Sequence, residues 1–245
     1  MTLTVNRVPL FRSVAVAVLS GFGLLASAQV EVNSTLTPDE YVNDVLLGTG
    51  VEATNVVFTG SPVQIGHITG FDPAEFPIEA GLILSTEVAN NPANVDDGCV
   101  DDFIDDNLEV SGDPDLLTIA NSVPPLIGQN FSVNSVNDVC AIEFDFVATG
   151  DTIRFNYVFG SDEYLAWINS QYNDIFGFFL SGPGINGPYA DNAINLAEVP
   201  GSDPQLAITI SSVNNVTNSA YYVDNPANDV LCQNGYTVKL TAESE

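Results

Sequence analysis

Hydrophobic and polar residues alternate with a period of two along most of the chain, as in β-strands that bury one face. In "CAIEFDFVA" the apolar Ile142, Phe144 and Phe146 alternate with acidic residues, and "TIRFNYVFG" repeats the pattern. We predict that these two segments form a hairpin across "TGD". Similar short runs are "TNVVFTG", "VQIGHITG", "GLILST", "DIFGFFLSG", "AINLAEV", "LAITISSV" and "YTVKLTA". Roughly ten short strands without intervening helices predict an all-β fold, an antiparallel β-sandwich or jelly-roll-like domain.

One segment near the N-terminus has a helical period instead. In "TPDEYVNDVLLGTG", Thr37 suits a helix cap, Pro38 suits the first helical position, and Glu40 completes a capping box. An apolar stripe follows and ends at Gly48. We predict one short N-terminal helix.

The first 28 residues have the pattern of a secretory signal peptide. Arg7 and Arg12 make a basic start, "SVAVAVLSGFGLLA" is an apolar run of suitable length, and "ASA" precedes Gln29. No later stretch approaches about 20 uninterrupted apolar residues, so we predict no membrane span. The mature protein is expected to be exported, with 29–245 as a single domain.

The charge balance is strongly acidic. The chain has 4 Lys and Arg residues and 32 Asp and Glu residues, and loss of Arg7 and Arg12 leaves a formal charge of 2 − 32 = −30. Such a protein repels nucleic acid and anionic membranes. Because 45% of the residues are hydrophobic, the composition still favours a packed core. The carboxylates must therefore be balanced by water, by a saline medium or by a bound cation such as Ca²⁺.

Three cysteines, Cys99, Cys140 and Cys232, fit an exported protein with one disulfide and one thiol left over. Their spacing does not reveal which two are bonded. The odd number leads us to expect that a partner cysteine lies beyond residue 245.

Most catalytic motifs are missing from the sequence. His67 is the single histidine and lies in an apolar run, where a strand or core position is expected rather than a catalytic one. The chain has no G-x-S-x-G elbow, Walker loop or dinucleotide fingerprint. We therefore predict that the protein is not an enzyme. A glycosidase built on two carboxylates is a less favoured alternative, because 32 acidic residues offer many candidate pairs.

A long acidic insertion occupies residues 90–115. It does not fit EF-hand spacing, and we interpret it as a solvated loop of like charges. At its end, in "SGDPDLL", Gly112 and Pro114 stiffen the backbone around Asp113 and Asp115. Oxygen-ligand sites and ordinary Asx turns both require such stiffening.

The stretch "FGSDEYLAWINSQYNDIF" crowds carboxylates and an amide between two predicted strands. Asp162 and Glu163 follow the first strand, whereas Asn173 and Asp174 precede the second. Hairpin-like pairing would bring the four side chains to one rim of the sandwich, and Ca²⁺ requires oxygen ligands of this kind. We predict a Ca²⁺ site at Asp162, Glu163, Asn173 and Asp174. The alternative is that Ser161, Asp162, Asn173 and Asp174 cap loop backbone groups. A weaker candidate for a Ca²⁺ site is "YYVDNP", with Asp224 and Asn225.

Three aromatic residues lie in the same stretch. Tyr164, Trp167 and Tyr172 are candidates for a platform on which a sugar ring stacks. Aromatic residues beside a sandwich edge more often complete the core, and we expect that role here.

These segments resemble a known family, the choice-of-anchor L domain of secreted and surface proteins, which is common in Bacteroidetes-type bacteria. The likeness runs from about Thr37 to the end of the chain. It rests on "TPDEYVNDVLLGTGV", "GSPVQIGHITGF", "GLILST", "SGDPDLL", "CAIEFDFVATGDTIRFNYVFGSDEY", "YNDIFGFFLSGPG" and "YYVDN".

The resemblance implies an exported domain that precedes a cell-surface anchor or sorting tail, with no activity to transfer. Members usually continue past the strand that matches "YTVKLTA". We therefore expect the last strands to be missing after Glu245, together with a partner for Cys232. We expect a bacterial, secreted or cell-surface, non-enzymatic module of adhesion type, stabilised by Ca²⁺ at its acidic loops. Its expected partners are cell-surface or extracellular polymers, and the alternative is a carbohydrate-binding jelly roll.

Overall fold

The computed structural model describes residues 29–48, 50–97, 99, 112–148 and 150–244. The predicted signal peptide lies outside the described residues. So do residues 98 and 100–111, which make up half of the acidic insertion, and our interpretation of that stretch as a solvated loop stays a prediction.

The described residues form short antiparallel strands, which confirms the all-β class. Twelve strands make five sheets of two or three strands each. They are β1 (Glu31–Asn33), β2 (Ala53–Thr59), β3 (Ile65–Thr69), β4 (Ala80–Leu84), β5 (Ala141–Phe146), β6 (Arg154–Tyr157), β7 (Gly160–Ser161), β8 (Phe179–Leu180), β9 (Ile194–Asn195), β10 (Tyr222–Asp224), β11 (Gly235–Thr237) and β12 (Leu240–Glu243). The sandwich stays a prediction, because five short sheets do not by themselves establish two facing layers.

The strands pair mostly with partners that are distant in the chain. The sheets are β1-β3-β4, β10-β11-β7, β12-β6, β2-β5 and β8-β9. The predicted hairpin between β5 and β6 is therefore wrong. In its place β12 sets Leu240 opposite Tyr157 and Ala242 opposite Phe155, and both β12 residues are buried. The alternation along β6 predicts a strand with one apolar face. It does not determine the partner strand, because many strands can pair with such a strand.

The predicted N-terminal helix is confirmed, including its cap. In α1 (Pro38–Glu40), the Thr37 hydroxyl accepts a hydrogen bond from the Glu40 amide at 3.3 Å, and the Glu40 carboxylate accepts one from the Thr37 amide at 2.8 Å. The backbone continues as a π-helical turn over Tyr41–Leu46, which buries Tyr41 and Val42.

A second helix, α2 (Pro114–Leu126), was not predicted. Asp113 caps it by accepting hydrogen bonds from the amides of Asp115 at 2.9 Å and Leu116 at 2.8 Å. The "SGDPDLL" signal is thus an N-cap. Two prolines in the last turn of α2 hide its helical pattern in the sequence. None of the described helices is long and apolar enough to cross a membrane. Single turns of 3₁₀-helix cover Pro62–Gln64, Ala190–Asn192 and Ser219–Tyr221, and a longer 3₁₀ segment kinked at Asn94 covers Asn91–Asp97.

Two apolar clusters hold these elements together. One packs Ile119 of α2 against Ile208 and against Leu240 of β12. The other packs Phe76 against Tyr236 of β11, with ring centroids 5.3 Å apart. Strand β7 pairs with β11, which belongs to the second cluster through Tyr236. The chain segment around Ile208 belongs to the first cluster. Both clusters therefore support the loop that follows β7.

A disulfide joins Cys99 to Cys232. The expectation that Cys232 lacks its partner is therefore wrong, and the unpaired cysteine is Cys140. Burial raises the pKa of Cys140 to about 12, so its thiol stays protonated and unreactive at neutral pH.

We predict that the disulfide is a main source of stability. It closes a chain segment of 133 residues. Loss of so long a closure in the double variant Cys99→Ser with Cys232→Ser should lower the free energy of unfolding by about 2–5 kcal/mol, measured by urea denaturation. Cys140→Ser serves as the control, because Ser keeps a donor for the Gln64 carbonyl. Equal stability of the double variant and the control would contradict the prediction.

Candidate functional site

The candidate site is the loop of residues 161–174, which we call the aromatic loop. It leaves strand β7 at Ser161, and it ends at Asp174, whose carbonyl accepts a hydrogen bond from the Ile210 amide at 3.1 Å. A hydrogen bond closes its two ends, because the Ser161 hydroxyl donates to the Asp174 carboxylate at 2.6 Å. The same hydroxyl accepts from the Glu163 amide at 2.9 Å. We call Ser161, Glu163 and Asp174 the neck.

The neck holds two carboxylates, and neither has a basic partner in the part of the chain that the structure describes. Desolvation raises the pKa of Glu163, and the negative charges of Asp174 and Glu87 raise it further. Asp174 keeps access to solvent, yet the protein atoms packed around it raise its pKa by desolvation, which the Ser161 hydrogen bond partly offsets. Among the described residues the salt bridge found is Arg154–Glu243, at 2.7 Å. The neck thus carries uncompensated negative charge.

Buried polar atoms next to the neck lack hydrogen-bond partners among the described residues. The side chain of Asn173 is 8% exposed, and neither its amide nitrogen nor its amide oxygen finds a partner. The same holds for one oxygen of Glu163 and for the hydroxyl of Tyr164. Desolvation by burial raises the pKa of Tyr164. The nearby Tyr222 and the negative charge of Asp174 raise that pKa further. Buried polar groups in proteins are nearly always satisfied, and exceptions often mark an ion or a water.

The structure brings three of the four predicted Ca²⁺ ligands to the neck region. The Ser161 hydroxyl is bonded to both Glu163 and Asp174, and Asn173 precedes Asp174 in the chain. Asp162 has other partners: its carboxylate accepts from the side-chain amide of Gln233 at 3.1 Å, and its backbone carbonyl accepts from the side-chain amide of Asn234. Within the described residues, no three side chains of His, Cys, Asp or Glu lie together as a metal site. The Ca²⁺ site stays a prediction.

Two aromatic side chains of the loop face solvent. Trp167 is 46% exposed and Tyr172 is 55% exposed; their ring centroids lie 4.9 Å apart and their planes meet at 73°. Tyr164 is buried and contacts Tyr222, with ring centroids 4.9 Å apart. The expectation that these aromatic residues complete the core therefore holds for Tyr164 and is wrong for Trp167 and Tyr172.

Internal hydrogen bonds fix the aromatic pair on the loop. The Trp167 amide donates to the Glu163 carbonyl at 3.0 Å. The Ser170 hydroxyl donates to the Trp167 carbonyl at 2.7 Å and accepts from the Tyr172 amide at 3.1 Å. These bonds hold the two aromatic residues in a defined relative position.

A buried polar turn supports the loop from the protein side. The Asn169 amide donates to the Ser211 hydroxyl at 2.9 Å. Ser211 belongs to a turn in which Thr209, Ser212 and Asn214 are also fully buried and hydrogen-bonded. The loop therefore rests on a rigid base.

Other candidate residues have structural roles. His67 lies within β3. In "YYVDNP", Asp224 accepts from the Tyr222 hydroxyl at 2.9 Å, and the buried Asn225 donates to the carbonyls of Leu231 and Gln233. These contacts account for the polar groups of that motif.

The family model of the Choice-of-anchor L domain matches residues 29–245. The chain belongs to this family. No curated protein and no solved structure matches the chain at a significant level. Membership indicates a non-catalytic surface module in an extracellular or cell-surface location, and the disulfide fits that location.

The alternative that Ser161 caps a loop backbone group is confirmed for this Choice-of-anchor L domain, because its hydroxyl accepts from the Glu163 amide. Sequence reasoning overlooked Ser211, which supports the aromatic loop but has no chemical signature of its own. One signal was present: "TISSVNN" has a density of Ser, Thr and Asn that is typical of turns. It was interpreted as part of the strand "LAITISSV", whereas the structure gives Thr209 only an isolated bridge to Ile175.

We predict that the stability of this Choice-of-anchor L domain, measured in the presence of a chelator, depends on pH through Glu163 of the neck. Because the folded pKa of Glu163 is raised, the folded state binds more protons than the unfolded state between the ordinary value of 4.5 and the raised value. Stability from this group falls as pH rises through that window. Glu163→Gln should therefore melt higher than wild type at neutral pH, and the difference should shrink as pH approaches about 4.

The control for this experiment is Glu143→Gln. It removes the same charge from an exposed position on β5. The measurement is the melting temperature across a pH series for all three proteins. A Glu163→Gln curve that runs parallel to that of the control would contradict the prediction.

Proposed function

We propose that this Choice-of-anchor L domain is a non-catalytic, adhesion-type surface module that binds an extracellular polymer through its aromatic loop. The observation that carries the proposal is the exposed pair Trp167 and Tyr172 on a loop closed at both ends. Exposed aromatic side chains on a rigid loop are typical of binding surfaces, because they supply large contact areas with little loss of side-chain entropy.

The rigidity of the loop supports a binding role. Binding is weakened when a loop must become ordered in the complex. Here the Ser161–Asp174 bond and the contact of Asn169 with Ser211 hold the loop in place beforehand.

The negative charge of the domain restricts the polymers that it can bind. A formal charge near −30 for the predicted mature chain repels polyanions, including nucleic acid and acidic polysaccharides. An apolar ring face binds the C–H face of a sugar without needing charge. We therefore propose a neutral glycan as the ligand, which makes the domain a carbohydrate-binding module.

The single tryptophan of the chain provides a direct test. Titration of the exported protein with a set of neutral oligosaccharides should change the fluorescence of Trp167. Trp167→Ala and Tyr172→Ala should each weaken binding by about tenfold or more, as aromatic hot spots do, in isothermal titration calorimetry or on a glycan array.

The matched control is Val147→Ala, which removes another exposed apolar side chain, 82% exposed, from outside the loop. Melting curves should show that all the variants remain folded. Binding that survives both aromatic substitutions would refute the proposed role of the loop. Release of reducing ends from a bound glycan, lost in Glu163→Gln, would instead assign a carboxylate glycosidase.

A further inference from the structure

We infer that the neck of the aromatic loop binds one divalent cation of the Ca²⁺ class, through the carboxylates of Glu163 and Asp174 and the amide oxygen of Asn173. This site differs from the one that the sequence predicts, because Asp162 is not a ligand. The inference does not depend on the proposed binding of a glycan.

The first step of the argument is the charge at the neck. The Ser161 hydroxyl brings Glu163 and Asp174 together, because it accepts from the Glu163 amide at 2.9 Å and donates to the Asp174 carboxylate at 2.6 Å. The charges of Asp174 and Glu87 both raise the pKa of Glu163. The Ser161 hydroxyl donates a single hydrogen bond to this pair, at 2.6 Å. A neutral donor relieves the repulsion only in part, and a bound cation would remove it.

The second step is independent of charge and concerns the unsatisfied polar atoms. Asn173 is 8% exposed, and both polar atoms of its side chain lack partners among the described residues. The adjacent residue in the chain is Asp174. One oxygen of Glu163 and the Tyr164 hydroxyl are unsatisfied in the same region. Leaving buried polar atoms without partners is costly, so a ligand at this position is expected.

A bound water would satisfy some of these atoms, but it would leave the paired carboxylates uncompensated. A cation accounts for both observations. It would bind the oxygen atoms of Glu163, Asn173 and Asp174, while the exposed side of Asp174 leaves room for coordinated waters.

The ligand chemistry selects the type of metal. The side chains at the neck offer oxygen atoms, which suit hard cations such as Ca²⁺. Mg²⁺ demands a tighter octahedral geometry and loses its waters reluctantly. Only two carboxylates contribute, and no larger cluster of acidic side chains forms a metal site in the described ranges. We expect a dissociation constant of about 10⁻⁴–10⁻³ M, as in extracellular Ca²⁺ modules.

The position of the site links it to the exposed aromatic pair. Tyr172 immediately precedes Asn173, and the Trp167 amide is bonded to the Glu163 carbonyl. A cation at the neck would therefore join the two ends of the loop that carries both rings. Cation binding should reduce the mobility of Trp167, which fluorescence anisotropy measures.

The test uses the exported protein, CaCl₂ and TbCl₃ at constant ionic strength. Tb³⁺ replaces Ca²⁺ at oxygen sites and luminesces when a nearby Tyr or Trp is excited. We expect sensitised Tb³⁺ luminescence that saturates and that Ca²⁺ displaces. At tenfold excess over Kd, Ca²⁺ should raise the melting temperature by about 3–6 °C, more than the same concentration of Mg²⁺.

Three variants that each lose one negative charge distinguish Ca²⁺ binding at this site from general screening of the negative charges of an acidic protein. Glu163→Gln and Asp174→Asn should each lower Ca²⁺ affinity at least tenfold. Asp162→Asn is the matched control and should keep the response, because its carboxylate bonds to Gln233 instead. Melting in chelator shows whether each variant folds.

Several outcomes would overturn the inference. A melting temperature that rises without saturation, or rises equally in all three variants, would mean charge screening only. Lack of Tb³⁺ sensitisation in the folded wild type would also refute the site. Glycan binding that persists in chelator, with no Ca²⁺ response, would refute this inference and leave the proposed function intact.

Discussion

The scarcity of positive charge constrains the whole molecule. Arg154 and Lys239 are the basic residues after position 28, against 32 acidic ones, so carboxylates cannot be balanced by internal ion pairs. The Arg154–Glu243 pair is exposed and adds little stability. Acidic side chains instead accept hydrogen bonds from backbone amides, as Glu40 does at α1 and Asp113 does at α2. Where such donors are lacking, as at the neck, water, a proton or an external cation has to compensate the charge.

The same constraint explains how the protein builds a rigid support for its loop. Neutral polar side chains take the place of ion pairs in the interior. Thr209, Ser212 and Asn214 are fully buried, and each is hydrogen-bonded within its own turn. A satisfied neutral network avoids the desolvation penalty of buried charges and still fixes the backbone. The Ser211 hydroxyl extends this network to Asn169 on the aromatic loop.

Shape and charge together suggest how a surface module of this family selects a partner. The exposed rings of Trp167 and Tyr172 offer an apolar contact, while the surrounding negative field disfavours anionic polymers. The neck lies at the ends of the loop that carries both rings. A cation there would rigidify the contact surface and also reduce the local negative charge, which connects the two proposals physically.

Local signals in the sequence determined the strand-rich class, the capping box at Thr37 and the family, because each depends on residues a few positions apart. Tertiary structure decided the rest. Many strands match the apolar face of β6, so only packing selected β12 as its partner. Asp162 and Glu163 are neighbours in sequence, yet the bend after β7 directs one to Gln233 and the other to the neck, because adjacent side chains point to different surroundings. The exposure of Trp167 likewise depends on which distant segments cover it.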